Sequence, residues 1–215
     1  MIIALDGPSA AGKGTLARRL ATHYGLAHLD TGSLYRAVRG RVLREGGDPA
    51  DVAHAVAAAA SLTEADRTAA DQRTEPVSQA ASKVAAIPEV RTNLLDFQRT
   101  FAHHPPDGRA GAILDGRDIG TVICPDADVK LFLTASLEAR TERRFRELQA
   151  AGAAPIKRAV LEEMTLRDRR DSERQAAPLK PARDAFVLDT SDLDADAVFA
   201  AAVELISERT RSRRA

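Results

Sequence analysis

Cys124 is the only cysteine in 215 residues, which excludes a disulfide framework and a thiolate metal site and makes an intracellular setting the simpler expectation. Net charge is absent too. Lys and Arg number 31 and Asp and Glu also 31, so nothing pulls the chain as a whole toward nucleic acid or an anionic membrane, although a local basic cleft stays open. No apolar run approaches the ~20 residues that a membrane span needs. The opening MIIALDG has neither the basic segment nor the apolar stretch of a signal peptide. A soluble, cytoplasmic protein is expected, without nucleic-acid or membrane partners, and nothing forces an assembly beyond a monomer. Lysine is scarce as well: Lys13, Lys83, Lys130, Lys157 and Lys180 stand against 26 Arg. Arginine's flat fork suits bidentate contact with phosphate or carboxylate, although a coding bias toward Arg and Ala would give the same count. With 44% hydrophobic and 29% charged residues, the chain has what one folded domain, or a core plus a small insert, requires.

Short apolar runs alternate with segments of helical period. MIIALD opens directly into glycines and reads as a buried parallel strand. Leu16, Ala17, Leu20, Ala21 and Tyr24 then follow a helical spacing that Gly25 ends. Residues 26–29 predict a second strand, 33–45 a helix, 111–114 a third strand, 129–133 a fourth and 186–188 a fifth. Helices are predicted over 136–148, over 155–176 as one or two, and over 195–209. Between residues 48 and 101 the text is Ala-rich and helical, with Pro88 marking a break or a new first turn. This alternation implies an α/β fold, a five-stranded parallel sheet covered by helices on both faces. The tail RTRSRRA reads as a frayed end.

The sharpest motif is Gly7-Pro8-Ser9-Ala10-Ala11-Gly12-Lys13-Gly14-Thr15, set after a predicted strand and before a predicted helix. In that context the glycines let successive N–H groups cradle the phosphates of a nucleotide, aided by the helix N-terminus. Lys13 can follow the terminal phosphoryl group as it moves. A tight strand-to-helix turn alone would explain the glycines but not this context. The residue after Lys13 is Gly14, so the usual hydroxyl ligand for Mg²⁺ is displaced to Thr15. No direct side-chain metal ligand is expected, and Asp115 is placed to order a metal-bound water or to hold the P-loop.

Two more strand ends deliver charged groups to the same edge. Asp30-Thr31-Gly32-Ser33-Leu34-Tyr35-Arg36 follows the second strand; a helix cap explains one hydroxyl there, but not an aromatic and an arginine together. Arg36 is therefore the first candidate for an acceptor phosphate. Asp115-Gly116-Arg117-Asp118 repeats the design after the third strand. Further on, Arg167, Arg170, Asp171 and Arg174 share a helical face at i, i+3, i+4 and i+7. A solvated, salt-bridged helix would look the same, but a P-loop needs more than one lysine to neutralise a transferring phosphoryl group. An arginine face closing over the site supplies that charge and excludes water.

LDGPSAAGKGT, LDTGSLYR, SQAASKVAAIPEVR, LDGRDIGTVICPDA, RDRRDSERQAAPL and VLDTSDL together resemble the bacterial cytidylate kinases, the (d)CMP kinases of the short-lid nucleoside monophosphate kinase group. The resemblance implies a P-loop kinase fold and transfer of the ATP γ-phosphoryl group to CMP or dCMP, with Mg²⁺. It implies a core of 1–32, 109–155 and 179–215, an acceptor-binding region with a reduced insert at 33–108, and a short helical lid with its flanking helices at 156–178. Gly7, Ser9, Ala10, Ala11, Gly12, Lys13, Gly14 and Thr15 match the ATP cradle. Arg36, Arg117 and Arg174 match arginines on the acceptor phosphate, and Arg167 and Arg170 match lid arginines near the transfer. Asp171 matches a residue at the sugar hydroxyls; Ser82, Arg91 and Asp118 match the readers of cytosine, beside Thr31 and Tyr35. Members commonly carry a small stranded insert where this chain has the short, polar stretch from Ala60 to Gln72, so a mostly helical acceptor region is expected. Other readings are a P-loop kinase acting on UMP, AMP or shikimate, and a non-catalytic ATP sensor. Cys124 reads as filler, and His103 and His104 lack a third zinc ligand at useful spacing.

Overall fold

The computed structural model describes residues 1–48, 51–68, 81 and 83–212. Its centre is a five-stranded, wholly parallel sheet formed by β1 (Ile2–Asp6), β2 (Ala27–Asp30), β3 (Ala112–Gly116), β4 (Val129–Thr134) and β5 (Phe186–Asp189), in the order β2-β3-β1-β4-β5. The register sets Asp6 beside Gly116 and Phe132, and Asp30 beside Asp115. The C-terminal ends of β1, β2 and β3 thus lie at one edge, where parallel α/β sheets bind ligands.

The strands read as apolar runs because both faces are covered. Ile3, Leu5, Ile113, Leu131 and Leu133 point to one side and pack on α1 (Lys13–Tyr24), through Leu16 and Leu20, and on α8 (Ala195–Ser212), through Val198, Ala202 and Ile206. Ala4, Ala112 and Leu114 point to the other and meet Ile119, Ile123 and Ala102. Each fully buried Leu or Ile contributes about 1.5–3 kcal/mol. Lys130 breaks the apolar run of β4 and is answered by Asp184 at 2.9 Å.

A second, helical lobe stands beside the sheet. It contains α2 (Thr31–Arg44), α3 (Val52–Ala60), α4 (Glu64–Thr68) and α5 (Pro88–His103) around Leu34, Val38, Ala55, Ala58, Ala59, Val84, Val90 and Leu94. As expected from its sequence it is helical, with no strand among the described residues; the expectation for the stretch up to Gln72 falls partly on residues 69–80, outside them. α6 (Leu137–Ala150) and α7 (Lys157–Glu173) complete the chain between β4 and β5. The 155–176 segment forms one helix and not two. Among the described residues no helix is long and apolar enough to cross a membrane. Cys124 is fully buried, and burial pushes its thiol up to about 11, which fits an inert filler.

Candidate active site

The β1–α1 loop has the backbone that its glycines require. Gly7 has φ 146°, and a Cβ there would come within 2.1 Å of the Leu133 carbonyl oxygen, so only glycine lets the loop leave β1 against β4. The loop then curls over Lys13, whose Nζ donates to the Pro8 carbonyl at 2.7 Å. Lys13 is buried, and burial, with Arg117 and Arg167 opposite, lowers its pKa to about 7.

At the ends of β2 and β3 carboxylates hold arginines. Arg36 donates to Asp30 at 2.7 Å. Burial opposes the charge on Asp30, but Arg36 more than offsets it and keeps the carboxyl below its ordinary range. Thr31 donates its hydroxyl to the Asp115 carbonyl at 2.8 Å, and His28 Nε2 lies 2.8 Å from the Asp115 carboxylate. Asp118 is 4% exposed; Arg91 bonds one oxygen, and Arg174 reaches the other at 3.5 Å. The Arg91 guanidinium also lies over the Tyr35 ring, 5.6 Å from its centroid.

Helix α7 brings Arg167 and Asp171 to the cleft. Asp171 accepts from Arg117 at 2.9 Å; burial opposes its charge, yet Arg117 and Arg167 hold its pKa down. Arg167 is less well satisfied. Its Nε is buried without a hydrogen-bond partner, and burial together with repulsion from Arg117 pushes its pKa down to about 10. Arg36 Nε is also buried without a partner. Lys13, Arg36, Arg117 and Arg167 therefore face a cleft of about 330 Å³ with more positive charge than the neighbouring carboxylates neutralise. Such a surplus suits a polyanion.

Of the residues expected from sequence, Ser9, Ala10, Gly12, Lys13, Gly14 and Thr15 line the cleft, as do Thr31, Tyr35, Arg36, Arg91, Asp115, Arg117, Asp118, Arg167, Asp171 and Arg174. Gly7 and Ala11 lie buried behind the loop. Arg170 is half-buried and does not line the cleft. Arg174 lines it by another route than the helical face: the helix ends at Glu173, and the extended Arg174 bonds the Ala177 carbonyl at 2.7 Å. Ser82 lies outside the described residues. Sequence reasoning missed Arg18, Arg144 and Glu147, which line the cleft, and Arg140, which joins the lid to the P-loop. The run ARTERR following a strand end was the available signal for Arg140 and Arg144.

Cationic surfaces on the P-loop, on two neighbouring strand ends and on a lid, converging on one cleft, are what transfer between two phosphates needs. The fold and cleft place the protein among the P-loop kinases. A family model described as Cytidylate kinase matches residues 3–208. The cytidylate kinase of Paramagnetospirillum magneticum is 61% identical over 208 residues, covering 97% of this chain and 98% of that protein. That of Methylocella silvestris is 57% identical over 215 residues, covering 100% and 98%. Among solved structures, an uncharacterized protein from Eubacterium ventriosum shares the fold with a TM-score of 0.54 at 14% identity, covering 96% of this chain and 98% of that one. The chain belongs to the cytidylate kinase family.

Proposed function

We infer that the protein transfers the γ-phosphoryl group of ATP to CMP or dCMP, giving ADP and CDP or dCDP. The observation that carries this reading is the cationic surplus of the cleft, which Lys13 and seven arginines line against five carboxylates. In this reading the P-loop amides and Lys13 hold the donor phosphates. Arg36, Arg117 and Arg174 hold the acceptor phosphate, and Arg167 meets the charge that develops between them. Arg170 would join Arg167 only after the lid has moved. Asp171 meets the sugar hydroxyls. No general base is invoked, because an acceptor phosphate is already ionised and needs placement more than deprotonation.

The described residues hold no group of three His, Cys, Asp or Glu that could cage a metal. The oxygen donors of the cleft include the Thr15 hydroxyl and the Asp115 carboxylate, which fit Mg²⁺ carried largely on phosphates and water. When bound there, Mg²⁺ neutralises donor-phosphate charge.

Asp118 gives base selectivity a physical cause. A cytosine amino group donates to the oxygen that Arg174 holds weakly at 3.5 Å, freeing Arg174 for the acceptor phosphate. Uracil presents a carbonyl there and leaves a buried carboxylate oxygen unsatisfied, at a cost of about 1–3 kcal/mol, or roughly 10- to 100-fold. ADP formation from Mg-ATP with CMP, dCMP, UMP, AMP and shikimate tests this. Turnover confined to CMP and dCMP is expected; comparable use of UMP or AMP removes Asp118 as the base reader, and no turnover with any acceptor removes the kinase reading. We take the monomer as the working form, to be checked by light scattering at 23.0 kDa.

A further inference from the structure

The Asp6 carboxylate ends β1 immediately before the P-loop and is 4% exposed. Each of its oxygens accepts one backbone amide, Ile119 N–H at 2.8 Å and Gly120 N–H at 2.8 Å. Those amides directly follow Asp118 and begin a π-helical turn over Ile119–Ile123. The turn is held from its other end as well. Arg99 of α5 donates from Nε to the Ile123 carbonyl and from Nη2 to the Val122 carbonyl, both at 3.2 Å. The turn that carries the base-reading carboxylate is therefore gripped on its amide side by Asp6 and on its carbonyl side by Arg99.

We propose that Asp6 is a positioning residue for acceptor specificity, fixing through the Ile119 and Gly120 amides where Asp118 meets the base. This rests on the cytidylate kinase reading of the cleft. The arrangement needs an acceptor on both oxygens, hence an ionised Asp6. Burial raises its pKa to about 6, while the two amides and Lys13 limit the rise and Asp118 adds to it, so the carboxylate is charged at neutral pH. The P-loop has supports of its own, since Gly7 seats against Leu133 and Lys13 bonds Pro8. The same strand end thus serves two substrates: its backbone leads into the donor cradle, and its side chain sets the acceptor reader.

Asp6→Asn keeps the size but offers one acceptor, so one amide loses its partner and faces an NH₂ group. The expected result is a KM for CMP raised about tenfold and a CMP-over-UMP preference reduced about tenfold, with the KM for ATP within about twofold. Hydrogen exchange gives a readout that does not depend on turnover: the Ile119 and Gly120 amides should exchange faster in the variant while those of β1 and β3 stay protected. Unchanged CMP KM and selectivity, or an ATP KM raised as much as that for CMP, would overturn the proposal. If Asp6→Asn does not fold, Arg99→Ala releases the same turn from its far side and must raise the CMP KM, by about threefold, without moving that for ATP; no change there would also overturn it. Wild-type protein that fails to use CMP removes the kinase reading instead, and unaltered exchange at Ile119 and Gly120 in Asp6→Asn then decides against Asp6 on its own.

Discussion

Lys13 illustrates how a single side chain is prepared for its ligand. It is buried beside Arg117 and Arg167 with only the Pro8 carbonyl to bond, and its pKa falls to about 7. Donor phosphates would reverse this, since anions favour the charged ammonium, so ATP binding must draw a proton onto Lys13 whenever the free protein holds it neutral. The sign follows from linkage: uptake approaches one proton at about pH 8, where free Lys13 is mostly neutral, and shrinks toward about pH 6, where it is already charged. Calorimetry of ATP binding in buffers of different ionisation enthalpy measures this, and Lys13→Met should abolish the uptake. Absence of uptake across this range would mean that Lys13 stays charged in the free protein. At this scale the sequence was informative wherever a residue follows a strand end in a short motif. Lys13, Arg36, Arg117 and Asp118 all reach the cleft. Asp6 and His28 were illegible as partners because their contacts, to the Ile119 and Gly120 amides of the turn after β3 and to Asp115 across the β2–β3 register, join residues far apart in sequence.

The lid helix shows what periodicity can and cannot place. Residues four apart on a helix lie about 40° apart around its axis, whereas a residue at the third position falls about 60° to the other side. Arg167 and Asp171 accordingly share the cleft face, and Arg170 turns off it. Sequence spacing alone could not choose which of these directions faces the core, nor foresee that the helix would stop one residue before Arg174. The choice is made by a contact distant in sequence. Arg140, buried in the first turn of α6, donates to Asp168 at 2.7 Å, to the Ala135 carbonyl at 2.9 Å and to the Ser9 carbonyl at 3.4 Å. One guanidinium so joins lid and P-loop, with Asp168 adjacent to Arg167. Asp168→Asn weakens that tie without removing bulk. Transfer should slow by as much as roughly 100-fold, the order of loss that ångström-scale misplacement brings, while the CMP KM changes little. Steady-state kinetics against each substrate check it, together with ATP hydrolysis in the absence of acceptor, which should rise relative to transfer if the lid closes less well. Equal losses in both KM values would mean a general loss of structure instead.

At the scale of the whole molecule the protein has two kinds of core. Under the sheet, Leu, Ile and Val from alternating strand positions meet α1 and α8. The helical lobe is built with smaller pieces, Ala55, Ala58, Ala59 and Ala81 among Leu34, Val38, Val90 and Leu94. The sheet and its order of helices were legible because parallel strands buried on both faces must be short apolar runs, and five such runs occur. The packing of the lobe was not, since alanine-rich text has helical propensity but little directional pattern. Less apolar area per helix makes the lobe the part expected to open first. α5 spans the boundary: Val90 and Leu94 pack in the lobe and Ala102 against the sheet's other face. Leu94→Ala and Leu20→Ala remove comparable buried side chains, 2% and 0% exposed, and each should cost about 2–5 kcal/mol. Their consequences should differ. Leu94→Ala shifts the lobe toward its open form, and if only the closed lobe binds the acceptor, as proposed, CMP affinity should fall by the unfolded fraction while ATP affinity holds. Leu20→Ala lowers the melting temperature without changing the ratio of the two affinities at temperatures where the protein is folded. Titrations of both ligands against both variants, read beside thermal melts, separate the cases. If Leu94→Ala weakened ATP and CMP alike, the two cores would be one cooperative unit, and acceptor binding would have no independent equilibrium to act on.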